Sequence, residues 1–415
     1  MKPFSLYVHI PFCLHKCPYC DFNTYALNTI PEKDYVAALL SELHFRSVQE
    51  EWQGRRIKSI FFGGGTPSLF SANSISKIIR AATTLFGLQF GIEISLEANP
   101  GALSLEQLSG LREAGVNRLS LGAQTFDSGL LRTLGRLHAP EDVETGVELA
   151  KACGLDNINL DLIYGIPGQS IELLKGDLQR AIKLAPRHIS AYGLTIEKGT
   201  PFFSSYQRGL LKLPPEDLVV EMMEEIASFL PICGFRRYEI SNFAERGFEA
   251  RHNLAYWYGD DYLGLGAGAH SFVAKCSGPR KLAALRWSNY AFPNRYMQKA
   301  GQEGQAESWR DTLAVSDLMF EFFFLGLRKI EGVSKAEFIS AFDCDIDHAY
   351  PGMISILTHE GLLKCEEDRI SLSERGLRLA DSVIENFSKP EKVPVDPQRS
   401  RPDPGQHLLP LVHNQ

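Results

Sequence analysis

Near its start the chain reads Tyr7-Val-His-Ile-Pro-Phe-Cys13-Leu-His-Lys-Cys17-Pro-Tyr-Cys20-Asp-Phe22, which places three cysteines within eight residues. Thiolates at short spacing hold iron–sulfur clusters, and a four-iron cluster normally takes four ligands. Three protein ligands leave one iron open to an outside molecule. The alternative is an incomplete zinc site, but structural zinc needs four ligands at paired spacings. No second CxxC or His-x-x-x-His completes one here, so the spacing favours an iron–sulfur cluster.

Short apolar runs alternate with amphipathic stretches from residue 4 to about residue 242. This alternation predicts βαβ units and a parallel sheet. The predicted strands are 5–10, 57–62, 92–97, 118–121, 158–163, 188–194 and 237–240; the predicted helices are 32–49, 74–86, 105–114, 140–153, 171–184 and 216–230. Ser104 and Ser170 stand where helix N-caps are expected. Six or seven units are too few for a closed eightfold barrel, so residues 1–242 are predicted to form an α/β fold, a partial (β/α)6 barrel.

Polar residues and glycines recur where the predicted strands end. They include the cysteine stretch, Gly63-Gly64-Gly65-Thr66-Pro67, Glu97-Ala-Asn99-Pro100, Gln124 and Asp161. Active sites of barrel folds lie at the carboxyl ends of the strands. We therefore expect these residues to share one rim.

Three further regions follow the predicted barrel. Residues 243–309 are aromatic and glycine-rich and are predicted to connect two domains. Residues 310–388 resemble a winged helix, and a structural role is favoured over DNA binding because its would-be recognition helix, 351–361, has no Lys or Arg. Residues 389–415 contain six prolines and are predicted to be a disordered tail.

The overall composition excludes some function classes. The 415 residues carry a formal net charge of -7, which does not suit a basic nucleic-acid binder. The other five cysteines are scattered singly, as expected for free thiols in a reducing compartment. Neither a signal peptide nor an 18-residue apolar stretch is seen. We expect a cytoplasmic protein without a transmembrane segment, and peripheral contact with the inner face of a membrane stays open.

Single residues on the expected rim allow two interpretations each. The glycine run permits close backbone approach to a ligand, or is a plain tight turn. Glu97 and Asp161 suit hydrogen bonds to amino or hydroxyl groups, and the planar guanidinium of Arg136 can bind both oxygens of a carboxylate. His252, followed by Tyr256 and Trp257, fits an axial haem ligand, although spacing alone favours a structural loop histidine.

The motifs together resemble the coproporphyrinogen III oxidase-like branch of the radical S-adenosylmethionine (SAM) proteins, especially its haem-chaperone members. The resemblance covers about residues 3–388. It is carried by the cysteine stretch with its CxxxCxxC spacing, Gly63-Gly-Gly-Thr-Pro, Glu97-Ala-Asn-Pro, Gly122-Ala-Gln124-Thr-Phe, Leu134-Gly-Arg136-x-His138, Asp161-Leu-Ile-Tyr-Gly-Ile-Pro-Gly-Gln and His252-Asn-x-x-Tyr-Trp257.

The resemblance implies cofactors and their residues. Cys13, Cys17 and Cys20 would hold a [4Fe-4S] cluster whose fourth iron is chelated by SAM. The implied SAM contacts are Tyr7, Gly64, Gly65, Thr66, Glu97, Gln124, Arg136 and Asp161. His252 would bind haem.

Two departures separate the chain from the oxidase of this branch. That enzyme has a further cysteine two residues after the third ligand, where this chain has Phe22. It also has a sizeable extension before its cluster, whereas twelve residues precede Cys13 here. Such an extension helps to form the substrate site of the oxidase, so its expected absence argues against porphyrinogen decarboxylation.

The leading hypothesis is a haem chaperone that passes haem to acceptor proteins such as membrane respiratory enzymes, with homodimerisation left open. The alternative is a radical SAM enzyme that oxidatively decarboxylates coproporphyrinogen III. Whether the chain is an enzyme therefore stays open. A third, weaker idea is that the winged module docks a protein partner or nucleic acid, and the lack of basic residues on its candidate recognition helix argues against nucleic acid.

Overall fold

The computed structural model describes residues 2–390 and contains one large sheet and two small ones. The strands are β1 (Phe4–Ile10), β2 (Phe12–Cys13), β3 (Tyr25–Ala26), β4 (Ile57–Gly64), β5 (Leu88–Ala98), β6 (Arg118–Gln124), β7 (Ile158–Tyr164), β8 (His188–Gly193), β9 (Arg236–Arg237), β10 (Asn242–Ala244), β11 (Tyr262–Leu265), β12 (His270–Ser277), β13 (Arg280–Asn289), β14 (Glu307–Leu313), β15 (Val333–Ser334), β16 (Leu363–Glu366) and β17 (Arg369–Leu372).

Helices follow most of these strands. They are α1 (Glu32–Ser47), α2 (Ala72–Phe86), α3 (Leu105–Ala114), α4 (Ser128–Thr133), α5 (Pro140–Ala152), α6 (Ile171–Lys183), α7 (Pro201–Gln207), α8 (Glu216–Ile232), α9 (Arg251–Trp257), α10 (Pro293–Glu303), α11 (Val315–Gly326), α12 (Lys335–Phe342), α13 (Ile346–Ala349), α14 (Met353–His359), α15 (Glu374–Arg378) and α16 (Ala380–Glu385). Short 3-10 turns, Pro67–Leu69 and Pro100–Ala102, follow β4 and β5.

The large sheet has the order β14-β13-β12-β11-β1-β4-β5-β6-β7-β8-β10-β9. Strands β1 and β4 to β8 run parallel, and a helix follows each of them before the next parallel strand or the end of the block. This arrangement confirms the predicted partial barrel of six βα units. The side chains of Ser104 and Ser170 accept hydrogen bonds from backbone N–H groups at the starts of α3 and α6, so the predicted N-caps are also confirmed.

The two faces of the barrel strands differ in chemistry, because successive side chains of a strand point to opposite sides. On β1, the residues Phe4, Leu6, Val8 and Ile10 belong to the main apolar core. The alternate residues Ser5, Tyr7 and His9 are polar and lie on the other face, where the hydroxyl of Ser5 accepts a hydrogen bond from Ser59 of β4. We call this polar side the inner face.

The predicted strand 237–240 is wrong for most of its length. Only Arg236–Arg237 form a strand, and it pairs antiparallel with β10. The chain then turns back: Arg237 donates to the carbonyl of Ile240, and the carboxylate of Glu239 accepts from the N–H of Ser241. These hydrogen bonds from side chains to the backbone stabilise a turn. The alternation of polar and apolar residues does not distinguish such a turn from a strand.

The sequence predicts that residues 243–309 connect two domains. In the structure they also add strands to the large sheet. Strand β11 pairs parallel with β1, and β12, β13 and β14 add antiparallel strands beyond it. The chain reverses tightly from β11 into β12: a Cβ on Gly264, within β11, would lie 2.1 Å from the carbonyl oxygen of His270 at the start of β12. This region therefore extends the barrel sheet by four strands, β11 to β14.

The C-terminal module is winged-helix-like, as predicted. Helices α11, α12 and α14 surround a second apolar core, and β15, β17 and β16 form a small sheet with the wing at its edge. The rings of Phe323 and Phe387 stack with centroids 4.0 Å apart. The module packs on the extended sheet through Phe272 and a buried two-bond ion pair between Arg286 and Glu321. Beyond residues 389 and 390, the predicted disordered tail lies outside the described residues.

None of the helices within residues 2–390 has the length and apolar character that a bilayer-spanning segment requires.

A buried carboxylate joins α1 to the extended sheet. Glu42 is fully buried, and it accepts hydrogen bonds from the N–H of Gly266 at 3.2 Å, the hydroxyl of Tyr296 at 2.8 Å and the amide of Asn289 at 2.8 Å. The guanidinium of Arg46 lies 3.8 Å away. These partners come from α10, β13, α1 and the turn after β11, so one side chain links four parts of the fold.

We expect Glu42→Ala to lower the free energy of unfolding by about 3–5 kcal/mol, because it leaves buried donors without an acceptor. Chemical denaturation measures this change. The exposed Glu50→Ala, shortly after α1, is the control and should change stability by less than about 0.5 kcal/mol. Equal effects of the two variants would contradict a structural role for Glu42.

Candidate functional site

The three cysteines lie at the carboxyl end of the barrel. Cys13 ends β2, directly after β1, and a turn closed by the N–H of Cys20 and the carbonyl of Cys17 brings the other two together. Pro18 in this turn packs against Gly135, where a Cβ would lie 2.6 Å from the proline Cδ. The loop that carries Arg136 therefore holds the cysteine loop in place.

Each thiol has a donor beside it. The contacts are Thr66 Oγ1 to Cys13 Sγ at 3.6 Å, Arg136 Nη1 to Cys17 Sγ at 3.8 Å and Thr24 Oγ1 with Cys20 Sγ at 3.9 Å. Hydrogen bonds to the sulfurs are one of the means by which proteins tune iron–sulfur clusters. Burial raises the pKa of Cys13 and Cys20, because it disfavours the charged thiolates.

The glycine loop after β4 lies against the cysteine loop. The N–H of Gly65 donates to the carbonyl of Ile10 at 2.8 Å, and a Cβ on Gly65 would lie only 2.6 Å from the carbonyl oxygen of Phe12. Gly64 has φ of +116°, and a Cβ there would lie 2.5 Å from the ring of His9. Both positions therefore require glycine because of contacts within the protein, and the close approach to a ligand stays a prediction.

A chain of side chains connects this loop to Arg136. The amide of Asn99 donates to Thr66 Oγ1 at 3.0 Å, and Arg136 Nη2 donates to Asn99 Oδ1 at 2.6 Å and to the carbonyl of Gly122 at 3.0 Å. Gln124 has a left-handed φ of +64° and directs its amide toward Gly122. The rim therefore gathers the predicted residues Thr66, Gln124 and Arg136.

Glu97 and Asp161 lie on the inner face just below the rim. Glu97 Oε2 accepts from the N–H of Gly64 at 3.1 Å. Asp161 accepts from Ser120 Oγ at 2.9 Å and from the amide of Asn159 at 2.8 Å. Burial, with a smaller contribution from the charge of Asp161, raises the pKa of Glu97 to about 8, and burial also raises that of Asp161. Burial thus shifts both carboxyl groups toward their neutral form.

Tyr7 lies on the inner face with its phenol already bonded. Its hydroxyl is 2.9 Å from His9 Nδ1, and His9 Nε2 is 3.0 Å from the carbonyl of Asn23. Since a carbonyl only accepts, Nε2 carries the proton and Tyr7 donates to Nδ1. Burial lowers the pKa of His9 to about 4, so this neutral bonding pattern holds at ordinary pH.

Three residues of the rim were missed as site residues. Asn99 stands in a quoted motif, yet its bridging role depends on the loop geometry. Thr24 lies four residues after Cys20, outside every motif quoted above. His9 precedes the cysteines and fills the space above Gly64. A polar residue alternating with apolar neighbours on β1 is the signal that could have indicated His9.

His252 lies apart from the rim. It is fully buried on α9, and its backbone N–H donates to Glu93 Oε1 at 3.1 Å. Its Nδ1 is 2.9 Å from the hydroxyl of Ser59, near the start of β4. Gly64 at the other end of that strand is five residues on, or roughly 16 Å. The predicted haem residue therefore lies near the amino ends of the strands, and the cysteines lie at the carboxyl ends.

Both ring nitrogens of His252 are hydrogen bonded. Because Ser59 donates its proton to Ser5, the bonding network assigns a proton to Nδ1 of His252. The lone pair of Nε2 then accepts from the hydroxyl of Tyr256 at 3.0 Å. Burial lowers the pKa of His252 to about 3, so the imidazole is neutral, the form that binds metals.

The three thiols fit a four-iron cluster better than a single metal ion. Within residues 2–390, no three Cys, His, Asp or Glu side chains converge on the position of one metal ion, whereas structural zinc needs four convergent ligands. Cluster ligands bind separate irons and need not converge. Three soft sulfur donors with nearby hydrogen-bond donors match that chemistry.

Curated relatives match the chain along nearly its full length. The haem chaperones HemW of Bacillus subtilis and Escherichia coli are each 38% identical to it, over 92% and 93% of this chain and 98% of each relative. The haem chaperone HemW of Lactococcus lactis is 37% identical over 93% of this chain and 97% of the relative. The chain belongs to the HemW family.

Family models and a solved structure agree with this membership. The radical SAM superfamily model matches residues 7–181, and the HemN C-terminal domain model matches residues 313–379. The structure of coproporphyrinogen III oxidase (HemN) from Escherichia coli, a radical SAM enzyme, superposes with a TM-score of 0.78 at 25% identity, over 93% of this chain and 90% of that one. The HemW family member described here therefore shares the fold of that oxidase.

We expect Gly65→Ala to reduce iron bound per chain by at least about half after anaerobic reconstitution, since the added methyl meets the backbone of Phe12 beside Cys13. Gly176→Ala on α6 is the matched control, because its Cβ would meet nothing within 4 Å. Normal iron content in Gly65→Ala would show that the close approach is not needed for the cluster.

The raised pKa of Glu97 leads us to expect that the free energy of unfolding depends on pH. Its raised pKa means that the folded protein binds this proton more tightly than the unfolded chain, so the stability it contributes is lost as pH rises from its ordinary 4.5 through about 8. Between about pH 5 and pH 9, the free energy of unfolding of the cluster-free wild type should fall by roughly 2–4 kcal/mol more than that of Glu97→Gln. The exposed Glu106→Gln is the control, and identical pH profiles for wild type and Glu97→Gln would refute the prediction.

Proposed function

We propose that this protein is a haem chaperone that binds haem, a [4Fe-4S] cluster and SAM, and transfers haem to acceptor proteins. The observation that carries this proposal is the full-length relationship to three bacterial haem chaperones at 37–38% identity. The neutral, buried imidazole of His252 supports it, because it offers a nitrogen that could ligate iron.

Cys13, Cys17 and Cys20 are the proposed ligands of the cluster. When bound, the cluster supplies an open iron for SAM and an electron for its cleavage. Thr66, Thr24 and Arg136 would donate hydrogen bonds to its sulfurs, as they already approach the free thiols.

The remaining rim residues are the proposed binding groups for SAM. Gly64 and Gly65 leave room for a ligand next to the backbone, and Glu97 and Asp161 would take up its amino and hydroxyl groups. A cation near Glu97 would lower the pKa of this carboxyl from about 8 and favour its charged form. Arg136 would hold the carboxylate of SAM, and the proposed contacts also include Tyr7 and Gln124.

Haem is the proposed cargo, with His252 as its ligand. Iron needs the lone pair of Nε2, which Tyr256 occupies in this conformation. Haem binding by His252 therefore requires this hydrogen bond to break, which adds a cost to binding and favours release to an acceptor. Membrane respiratory enzymes as acceptors, a homodimer and the cytoplasmic location expected from the composition are further proposals.

The second candidate function is oxidative decarboxylation of coproporphyrinogen III. The fold shared with the Escherichia coli oxidase favours it. Phe22 stands against it, because the oxidase of this branch has a cysteine at that place.

We expect His252→Ala to weaken haemin binding by at least about tenfold, because it removes the ligand. Tyr256→Phe should strengthen haemin binding by about two- to tenfold, because it frees Nε2. Titration of the reconstituted full chain followed by the haem absorption measures both changes, and the exposed His348→Ala is the control.

The same preparation tests the second function. Conversion of coproporphyrinogen III that depends on Cys17 but not on His252, without haemin binding, would refute the chaperone proposal and make the protein an oxidase.

A further inference from the structure

The backbone of Gln124, at the end of β6, is strained. Its φ of +64° lies in the left-handed region, which residues with a side chain rarely adopt. The N–H of Thr125 donates to the carbonyl of Ala123 at 2.8 Å, so Gln124 is the central residue of a three-residue turn. Strained residues persist only where the surrounding structure fixes them, and they cluster at ligand-binding sites. Groups outside this turn must therefore hold it.

A buried carboxylate on α6 holds the residues that follow the turn. Asp177 is 3% exposed, and its Oδ2 accepts from the hydroxyl of Thr125 at 2.8 Å. Its Oδ1 accepts from the backbone N–H of Phe126 at 2.6 Å. The Thr125 hydroxyl in turn accepts from the N–H of Asp127 at 3.1 Å. Asp177 therefore holds three consecutive residues, two directly and the third through a hydroxyl.

The charge of Asp177 strengthens these bonds. Burial raises the pKa of this carboxyl to about 6, so it is ionised at neutral pH and acts only as an acceptor. Hydrogen bonds to an ionised acceptor are stronger than those between neutral groups. A neutral amide at this position would therefore hold the turn less firmly.

A second side chain of α6 holds the same segment from its other side. Arg180, one turn after Asp177, donates from Nη1 to the carbonyl of Phe126 at 3.1 Å. Its Nη2 donates to Glu144 at 2.6 Å, and its guanidinium carbon lies 5.0 Å from the centre of the Phe126 ring. Both backbone groups of Phe126 are thus bonded to side chains of α6. The segment cannot shift along the helix without breaking these bonds.

The turn directs the amide of Gln124 into the rim. A Cβ on Gly122 would lie 2.9 Å from Gln124 Nε2 and 3.0 Å from Arg136 Nη2, so the two groups meet over this glycine. Arg136 is also held by Asn99 and by the carbonyl of Gly122. The amide of Gln124 forms no hydrogen bond within residues 2–390. Its position is therefore set by the strained backbone alone.

We infer that Asp177, assisted by Arg180, is a positioning residue for SAM binding, because it holds the turn that presents the amide of Gln124. The inference rests on the proposed binding of SAM and adds a residue that no quoted motif contains. Helix α6 packs into the main apolar core, on the side of the sheet away from the inner face. Asp177 therefore acts on SAM only through the turn.

The test is equilibrium dialysis of SAM against the full chain after anaerobic reconstitution of the cluster. Asp177→Ala should weaken SAM binding by about five- to twentyfold, because the N–H of Phe126 loses its acceptor and the turn relaxes. Asp177→Asn, which keeps one acceptor oxygen, should weaken it by about two- to fivefold. If Asp177→Ala does not fold, Asp177→Asn and Arg180→Gln carry the test, and Arg180→Gln should weaken SAM binding by about two- to threefold.

A double variant shows whether the effect passes through Gln124. Gln124→Ala alone should weaken SAM binding at least as much as Asp177→Ala. Adding Asp177→Ala to Gln124→Ala should then change the affinity by less than about twofold, because the amide that Asp177 positions is already gone. A residue that only stabilises the fold would not show this dependence on Gln124.

The matched control is another buried carboxylate with two bonds. Glu321 pairs with Arg286 where the extended sheet meets the C-terminal module, away from the rim. Glu321→Gln should lower the temperature of thermal unfolding and leave the SAM affinity unchanged. The electron paramagnetic resonance spectrum of the reduced cluster without SAM should be the same in Asp177→Ala and wild type, because Asp177 contacts none of the thiols.

The outcomes separate this inference from the function on which it rests. If Gln124→Ala weakens SAM binding but the Asp177 variants bind like wild type, the inference is wrong and the SAM proposal stands. Equal losses from Asp177→Ala in the wild-type and Gln124→Ala backgrounds, or from Glu321→Gln and Asp177→Asn, would also overturn it. If the reconstituted wild type binds no SAM, or Gln124→Ala binds it normally, the proposed SAM site itself fails and the inference fails with it.

Discussion

The site depends on one backbone contact between the first two loops of the barrel. The N–H of Gly65 bonds to Ile10 and the N–H of Thr66 bonds to Phe12, so the loop after β4 runs directly along the residues that lead into Cys13. No side chain fits between them. The same contact directs Thr66 Oγ1 toward the first thiol and Gly64 N–H toward Glu97. The proposed cluster and SAM residues therefore have their positions set by a single close approach.

The polar inner face gives the barrel two ends with different chemistry. At the carboxyl end, thiols, a guanidinium and two carboxyl groups of raised pKa surround an open rim. At the amino end, α9 covers the strands and holds His252 against Ser59. Between them lie Tyr7, whose ring centroid is 6.3 Å from that of His252, and Phe61, at 5.2 Å. Packed aromatic side chains therefore join the two proposed cofactor sites, and one of them, Tyr7, is itself a proposed SAM contact.

Local signals in the sequence were sufficient for the parallel strands, the N-caps Ser104 and Ser170 and the shared rim. Each of these follows from residues that are close in sequence or from the rule that parallel strands end together. The extended sheet could not be predicted in this way, because β11 pairs with β1 across about 250 residues and its glycines hide the strand pattern. Asn99 was missed for a similar reason, since its bridge from Thr66 to Arg136 exists only after three loops have met. The motif around His252 indicated haem, but its burial behind Ser59 depends on how α9 packs.

The central claim is that haem and the cluster occupy opposite ends of the barrel. Electron paramagnetic resonance of bound ferric haem tests it most directly, in a variant with Cys13, Cys17 and Cys20 all replaced by Ser and in His252→Ala. We predict that the cysteine variant keeps the wild-type haem spectrum although it binds no cluster, and that His252→Ala loses the signature of histidine ligation. A haem spectrum that changes in the cysteine variant and is unaffected in His252→Ala would place haem at the cysteine rim and contradict this account.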